Sequence, residues 1–332
     1  MSRILITGAS GLLGSAIAQK LIDDGNEVFA LCRPNSDLSL LERIKTKLIF
    51  LEGDILDIYA LENALNHNID YVIHAAAVVS FAPKDRNKMF KTNVEGTANL
   101  VNMCLEKKIK KLCYVSSIAA IGKPNTGNTD IDENQKWEDS PLNSNYAKSK
   151  FQAELEVWRG QAEGLDVVVV NPSIILGEGD WTKSSTKLFK YVYDSHKYYT
   201  KGNINFVDRE DVVEIICQLT KSDIKNERFI LNGGTISYKD FFDKIAKQFG
   251  KKAPNYTLNS FFIGFLWRFE AVRAFLTGGS PLITKETAIN SSTKFAYNSI
   301  KVQKTLNVNF TPIDETIERV CKYLHEKYSK NK

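Results

Sequence analysis

Thr7-Gly8-Ala9-Ser10-Gly11-Leu12-Leu13-Gly14 sits between an apolar run, Arg3-Ile4-Leu5-Ile6, and a stretch from Leu12 to Leu21 whose apolar residues recur at helical spacing. A glycine-rich turn from a buried strand into a helix is a phosphate cradle. The start of a helix offers free backbone N–H groups and the positive end of its dipole, which favours an anionic pyrophosphate. Gly8 and Gly11 would let the backbone turn tightly and approach such a ligand, and Gly14 would let the helix pack close to the strand. Residues Gly8, Ser10, Gly11, Leu12, Leu13 and Gly14 are therefore the candidate pyrophosphate contacts. Their spacing is Gly-x-x-Gly-x-x-Gly, not the Gly-x-Gly-x-x-Gly of the commonest dinucleotide fingerprint.

Outward from this turn, short apolar runs alternate with helical patterns. Glu27 to Cys32, Lys47 to Leu51, Tyr71 to His74, Leu112 to Ser116 and Asp166 to Val170 read as strands. Ile55 to Leu65, Asn87 to Glu106 and Asn145 to Ala162 read as the helices between them. This alternation predicts an α/β fold, a doubly wound parallel sheet covered on both faces, with ligands bound beyond the C-terminal ends of the strands. After residue 177 the rhythm changes. Lys183 to Asp194, Arg209 to Thr220, Tyr238 to Phe249, Asn259 to Leu276, Lys285 to Asn290 and Ile313 to Tyr328 read as helices. Only Ile204 to Val207, Arg228 to Leu231 and Asn255 to Leu258 read as strands. The expected organisation is a dinucleotide-binding domain over 1–177 and a smaller, mostly helical substrate-binding region over 178–332, partly interleaved with the last sheet strands.

Composition sets outer limits. The 332 residues are 43% hydrophobic and 25% charged, as in an ordinary soluble globular protein. No apolar signal segment is expected at the start, and no run reaches a membrane span. Phe261 to Phe269, interrupted by Arg268, reads as a buried amphipathic helix. Five scattered cysteines (Cys32, Cys104, Cys113, Cys217, Cys321) point to a reducing, cytoplasmic setting and no bound metal. The net charge of +5 is unevenly spread: residues 1–177 hold 19 Lys and Arg against 22 Asp and Glu, and residues 178–332 hold 25 against 17. The basic residues are dispersed and carry no nucleic-acid motif.

The chemistry-bearing residues fall at strand ends. A site for NAD usually has an acid at the end of the second strand to bind the ribose 2′-hydroxyl, whereas an arginine suits the 2′-phosphate of NADP. This chain has Cys32-Arg33-Pro34 there, so Arg33 favours NADP, with NAD the alternative. Gly53-Asp54-Ile55 after the third strand would set Asp54 against an adenine amino group, or else cap the next helix, or both. Ala75, Ala76 and Ala77 after His74 would let a ligand lie flat on the backbone, and His74 itself reads as structural. Ser116-Ser117 ends the fifth strand, and Tyr146-Ala147-Lys148-Ser149-Lys150 opens the following helix. Tyr146 and Lys150 lie one turn apart on one face. An adjacent ammonium is expected to lower the tyrosine pKa and make Tyr146 a proton donor or acceptor near neutrality.

Taken together, these segments resemble the short-chain dehydrogenase/reductase superfamily, in its extended, epimerase/dehydratase branch, and within it the dihydroflavonol reductase-like members. Thr7 to Gly14, Gly53-Asp54, His74 to Ala77, Asn93 to Thr97, Tyr114 to Ser117, Tyr146 to Lys150, and Asn171-Pro172-Ser173 with Gly177 match in order. Phe206 to Val212 and Thr277 to Thr284 resemble later, less specific segments. The resemblance implies a Rossmann-type fold. It further implies that Ser117 holds the substrate oxygen, Tyr146 is the general acid or base, and Lys150 binds the nicotinamide ribose and tunes Tyr146. Asn93 is included in the catalytic set with a less defined role, and Pro172 and Ser173 would abut the nicotinamide. Two reactions compete: reduction of a ketone or aldehyde, and epimerisation or dehydration of a nucleotide sugar, with a non-catalytic NADP-binding sensor as a third reading. Arg33, the segment Asn171 to Gly177, the aromatic stretch Phe261 to Phe275, and Ile118-Ala119 in place of an acid after Ser117 favour the first. The expected partner is a small carbonyl substrate. Family analogy adds a homodimer.

Overall fold

The computed structural model describes residues 1–123, 130–140, 142–257 and 295–329. The expected elements Asn259 to Leu276 and Lys285 to Asn290, with the stretches Phe261 to Phe275 and Thr277 to Thr284, lie outside the described residues.

Strands β1 (Arg3–Thr7), β2 (Glu27–Cys32), β3 (Ile49–Glu52), β4 (Tyr71–His74), β5 (Lys111–Val115) and β6 (Val167–Pro172) come from the first 172 residues of the chain. Two short strands follow, β7 (Ile174–Leu176) and β8 (Asn203–Asp208), then β9 (Glu227–Leu231) and β10 (Gly234–Ser237). Seven of these form one parallel sheet in the order β9-β6-β5-β4-β1-β2-β3. Chain order reverses between β1 and β4, so a crevice opens beyond their C-terminal ends. β10, β8 and β7 make a second, mixed sheet, with β8 antiparallel to β10 and parallel to β7.

Strand alternation sends residues to two cores. Ile4, Ile6, Val28 and Ala30 pack with Leu13, Ile17 and Leu21 of helix α1 (Leu12–Asp23) on one face. Leu5, Phe29, Leu31 and Tyr114 pack on the other face. There they meet helices α2 (Ile58–Leu65), α3 (Gly96–Glu106) and α4 (Asn145–Ala162). The period-two pattern of a strand thus covers the sheet with helices on both sides. A further cluster is built by α5 (Lys187–Tyr193), α7 (Tyr238–Phe249) and α9 (Ile313–Ser329) around Phe189, Phe206, Phe241 and Leu324. Helix α6 (Arg209–Lys221) instead joins the first core, through Val212, Val213 and Ile216. A short helix, α8 (Ile300–Leu306), follows Ser299.

Several boundaries differ from the sequence expectation. Helix α2 begins at Ile58, not Ile55, because the Asp57 carboxylate accepts from the N–H groups of Tyr59 and Ala60 and is the N-cap. The helix expected over Asn87 to Glu106 starts at Arg86, and Lys91–Glu95 is a π turn leading straight into α3. Strands β7 and β10 and helix α8 were not foreseen, being three, four and seven residues long. Among the described residues no helix is long and apolar enough to cross a membrane, and no group of metal-binding side chains occurs. All five cysteines are free and buried, and burial pushes the thiols of Cys113, Cys217 and Cys321 up to about 12.

Candidate active site

The turn after β1 is built as its glycines require. Gly8 has φ +75°, and a Cβ there would stand 2.6 Å from the Ala76 nitrogen and 2.7 Å from the Ala75 carbonyl carbon. A side chain at Gly14 would meet the Gly8 oxygen at 2.2 Å, so α1 lies hard against the turn. Gly11 is the N-cap of α1 and no side chain caps that helix start. The first-turn N–H groups of Leu12 and Leu13 therefore have no partner within the helix. The Leu13 side chain points into the core, so its contribution to an anion site is through the backbone.

A cleft of about 200 Å³ runs from this turn along the strand ends. Gly8, Ser10, Gly11, Arg33, Asp54, Ile55, Ala75, Ala76 and Ala77 line it, as the sequence reading placed them. Ser36, Val78 and Thr92 line it too, and no sequence signal had marked them. Arg33 is exposed at the end of β2, and among the described residues no carboxylate pairs with it. The Asp54 carboxylate accepts from Leu56 N–H at 3.0 Å, a local turn bond that leaves the cap of α2 to Asp57.

Ser117, Tyr146 and Lys150 converge beyond β5. Ser117 follows the strand and caps a short turn of 3-10 helix over Ile118–Ile121, its oxygen accepting from Ala119 N–H at 3.2 Å. Ser144 caps α4 by accepting from Ala147 N–H at 3.0 Å, which starts the helix one residue before Tyr146. The Ser117 side chain is close enough to the Tyr146 phenol to act on its titration, and the Tyr146 ring meets Phe81 edge-on at 5.8 Å. One expectation is corrected here: burial raises the Tyr146 pKa, with the Ser117 side chain opposing it. Lys150 does not act on the phenol in this state. Its ammonium is buried and donates to Tyr114 Oη at 2.7 Å and to the Val115 carbonyl at 2.8 Å. Burial brings its pKa down to about 7, against the opposing charge of Glu154.

The layer beneath is a closed set of polar groups. His74 is buried, with Nδ1 2.6 Å from Thr7 Oγ1 and Nε2 2.9 Å from Thr97 Oγ1. Thr97 donates to the Asn93 carbonyl at 2.6 Å, so it accepts from His74 Nε2–H, and Nδ1 accepts from Thr7. Asn93, carried on the π turn, is 1% exposed: its oxygen accepts from Val78 N–H at 2.7 Å, and its amide donates to Val78 O and Ser149 Oγ, each at 3.0 Å. It ties the loop after β4 to the helix bearing Tyr146. Pro172 ends β6, and Ser173 N–H donates to the Leu231 carbonyl at 2.9 Å. Among the described residues the buried Ser173 hydroxyl and the Asn171 side-chain oxygen have no hydrogen-bond partner.

These features fit a dinucleotide. A backbone cradle that any Cβ would fill suits a pyrophosphate, and a buried, unpartnered hydroxyl just past the end of β6 suits a polar ring substituent. Sequence reasoning missed two residues, Tyr114 and Glu154. Glu154 stands four residues past Lys150, as Lys150 stands four past Tyr146, but that spacing alone does not tell a buried glutamate from a solvated one.

Comparison with known proteins agrees with this geometry. Residues 4–231 match the model of the NAD dependent epimerase/dehydratase family. A Synechocystis protein with the provisional name dihydroflavonol 4-reductase is 27% identical, over 94% of this chain and 91% of its own. Sterol demethylase protein B of Methylococcus capsulatus is 29% identical, over 69% of each chain. The crystal structure of Thermotoga maritima UDP-glucose 4-epimerase with UDP-glucose superimposes with a TM-score of 0.80 at 18% identity, covering 98% of this chain and 99% of that one, a likeness of fold.

Proposed function

The chain belongs to the NAD dependent epimerase/dehydratase family, and on that premise we propose that it is an NADP-dependent oxidoreductase that reduces a ketone or aldehyde. The observation that carries this reading is the convergence of Ser117 and the Tyr146 phenol beyond the end of β5, with the buried Lys150 ammonium on the same helix one turn away. Two hydroxyls held together there are suited to the oxygen of a carbonyl. When bound, the reduced dinucleotide supplies the hydride. Gly8, Ser10, Gly11 and the N–H groups of Leu12 and Leu13 would hold its pyrophosphate, with Asp54 and Ile55 at the adenine and Pro172 and Ser173 at the nicotinamide. Tyr146 Oη gives its proton to the substrate oxygen, and Ser117 Oγ–H stabilises the negative charge that develops there. Lys150, freed from Tyr114, would bind the ribose and bring its charge to the phenol. Asn93 keeps the cleft wall and the Tyr146 helix in register.

Reduction is favoured over nucleotide-sugar epimerisation or dehydration by two features: an arginine instead of an acid at the end of β2, and Ile118 and Ala119 after Ser117. The reductase name of the Synechocystis relative supports it. The region from residue 178 onward would supply the substrate pocket.

The test is oxidation of NADPH against a panel of aromatic and aliphatic ketones and aldehydes. Turnover that fails in Tyr146→Phe, and a preference for NADPH over NADH that fails in Arg33→Ala, are expected. Conversion of a nucleotide sugar without net change of cofactor would overturn the reductase reading, and an unchanged preference in Arg33→Ala would overturn the NADP assignment.

A further inference from the structure

We propose that Glu154 is a positioning residue for this reaction, its buried carboxylate holding the Ser117 peptide in place and keeping the Lys150 side chain protonated from one helical turn away. The proposal rests on the roles just given to Ser117, Tyr146 and Lys150. Glu154 is 2% exposed, while the other glutamate of the same helix, Glu156, is partly exposed. A buried carboxylate is costly unless every lone pair is met, and here four donors meet it. Oε2 accepts from Ser116 Oγ at 2.7 Å and from Asn171 Nδ2 at 2.9 Å, and Asn171 Nδ2 also donates to the Ser117 carbonyl at 2.9 Å. Oε1 accepts from Arg228 at 3.1 Å and from the Trp158 indole at 3.3 Å. One carboxylate thus fixes both serines at the end of β5 to the end of β6.

The charge acts in the other direction. Lys150 faces Tyr114 from β5 and His74 from β4, both neutral, and Tyr146 and Glu154 from its own helix. Glu154 is the anion that favours its ammonium form. On the outer side Glu154 faces Arg228 of β9, whose guanidinium also donates to the Glu133 carbonyl. The Glu133 carboxylate accepts from Ile230 N–H at 2.8 Å, and Lys136 stands on the rim of the same 370 Å³ cavity that Glu154 and Arg228 line. Arg228 therefore partly offsets the negative charge that Lys150 feels. Removing Glu154's charge and removing Arg228's charge must move Lys150 in opposite directions, which a purely structural role would not do.

The experiment titrates the ligand-free protein carrying lysine labelled with carbon-13 at Cε, with the Lys150 signal identified by its loss in Lys150→Arg. In Glu154→Gln the Lys150 midpoint falls by about one pH unit, the size expected for loss of one nearby opposite charge. In Arg228→Met it rises. An unchanged midpoint in Glu154→Gln, or shifts of the same sign in both variants, overturns the proposal. If Glu154→Gln fails to fold, the rise in Arg228→Met still decides it, since an unmoved or lowered midpoint there refutes the coupling. No substrate enters this measurement, so a wild-type protein that turns over no carbonyl with NADPH would defeat the functional reading while leaving the titration to decide the coupling.

Discussion

Acid should weaken this protein through one imidazole. His74 sits between Thr7 and Thr97 with one ring nitrogen donating and the other accepting, an arrangement only the neutral ring satisfies. Burial, with help from the Lys150 charge, lowers its pKa from 6.5 to about 3. Because the folded pKa is depressed, the unfolded chain takes up the proton first. The stability this residue contributes is complete above pH 6.5, drains as pH falls, and is fully lost only near the folded value. Each pH unit in that window costs about 1.4 kcal/mol, so roughly 2 kcal/mol is gone by about pH 5, against a total of about 5–15 kcal/mol for a typical protein. His74→Gln keeps an acceptor and a donor but cannot protonate. Urea unfolding at about pH 7.5 and about pH 5 measures the difference for both proteins, and the wild type should lose roughly 2 kcal/mol more than the variant. Equal losses would refute the argument, because every other titrating group is common to the two.

Other perturbations reach the cradle and the catalytic layer. Gly8→Ala places a side chain at φ +75° against the Ala75–Ala76 backbone. The left-handed conformation alone costs about 1–2 kcal/mol, and dinucleotide affinity measured by calorimetry should collapse; undiminished binding would show that the turn can move. Tyr114→Phe removes the oxygen that accepts from the buried Lys150 ammonium, and a loss of about 1–3 kcal/mol in thermal unfolding is expected. Tyr146→Phe should reduce carbonyl turnover by about 10²–10⁴-fold while cofactor binding persists, and a smaller effect would remove the phenol from proton transfer.

The residues legible in the sequence are those whose role is set by backbone shape or by position along the chain. Gly8 and Gly14 announce a close approach because no other residue fits one, and the alternation of Ile4, Leu5 and Ile6 announces a sheet buried on both sides. Burial is what spacing cannot report. Tyr146 and Lys150 were placed on one helix face correctly, yet the titration of Tyr146 was expected to follow the neighbouring charge when desolvation dominates it. Glu154 is invisible for the same reason: a glutamate in a charged helix reads as solvated until β9 brings Arg228 to it from 74 residues away. Asp54 shows a third limit, since it was read as a possible cap and the turn geometry gives the cap of α2 to Asp57, three residues further on.

The π turn at Lys91–Glu95 has a consequence for anyone altering this chain. A π turn holds one residue more than the regular spiral, and each residue turns an α-helix by about 100°. Deleting any one of the five would yield a smoother helix and would swing Asn93 away from Val78 and Ser149 while the far end of α3 kept its packing. The irregularity works as a vernier between two rigid parts: the segment before it is phased to the cleft wall and the segment after it to the core. Straightening it would satisfy the helix and misalign the cleft wall with the catalytic helix.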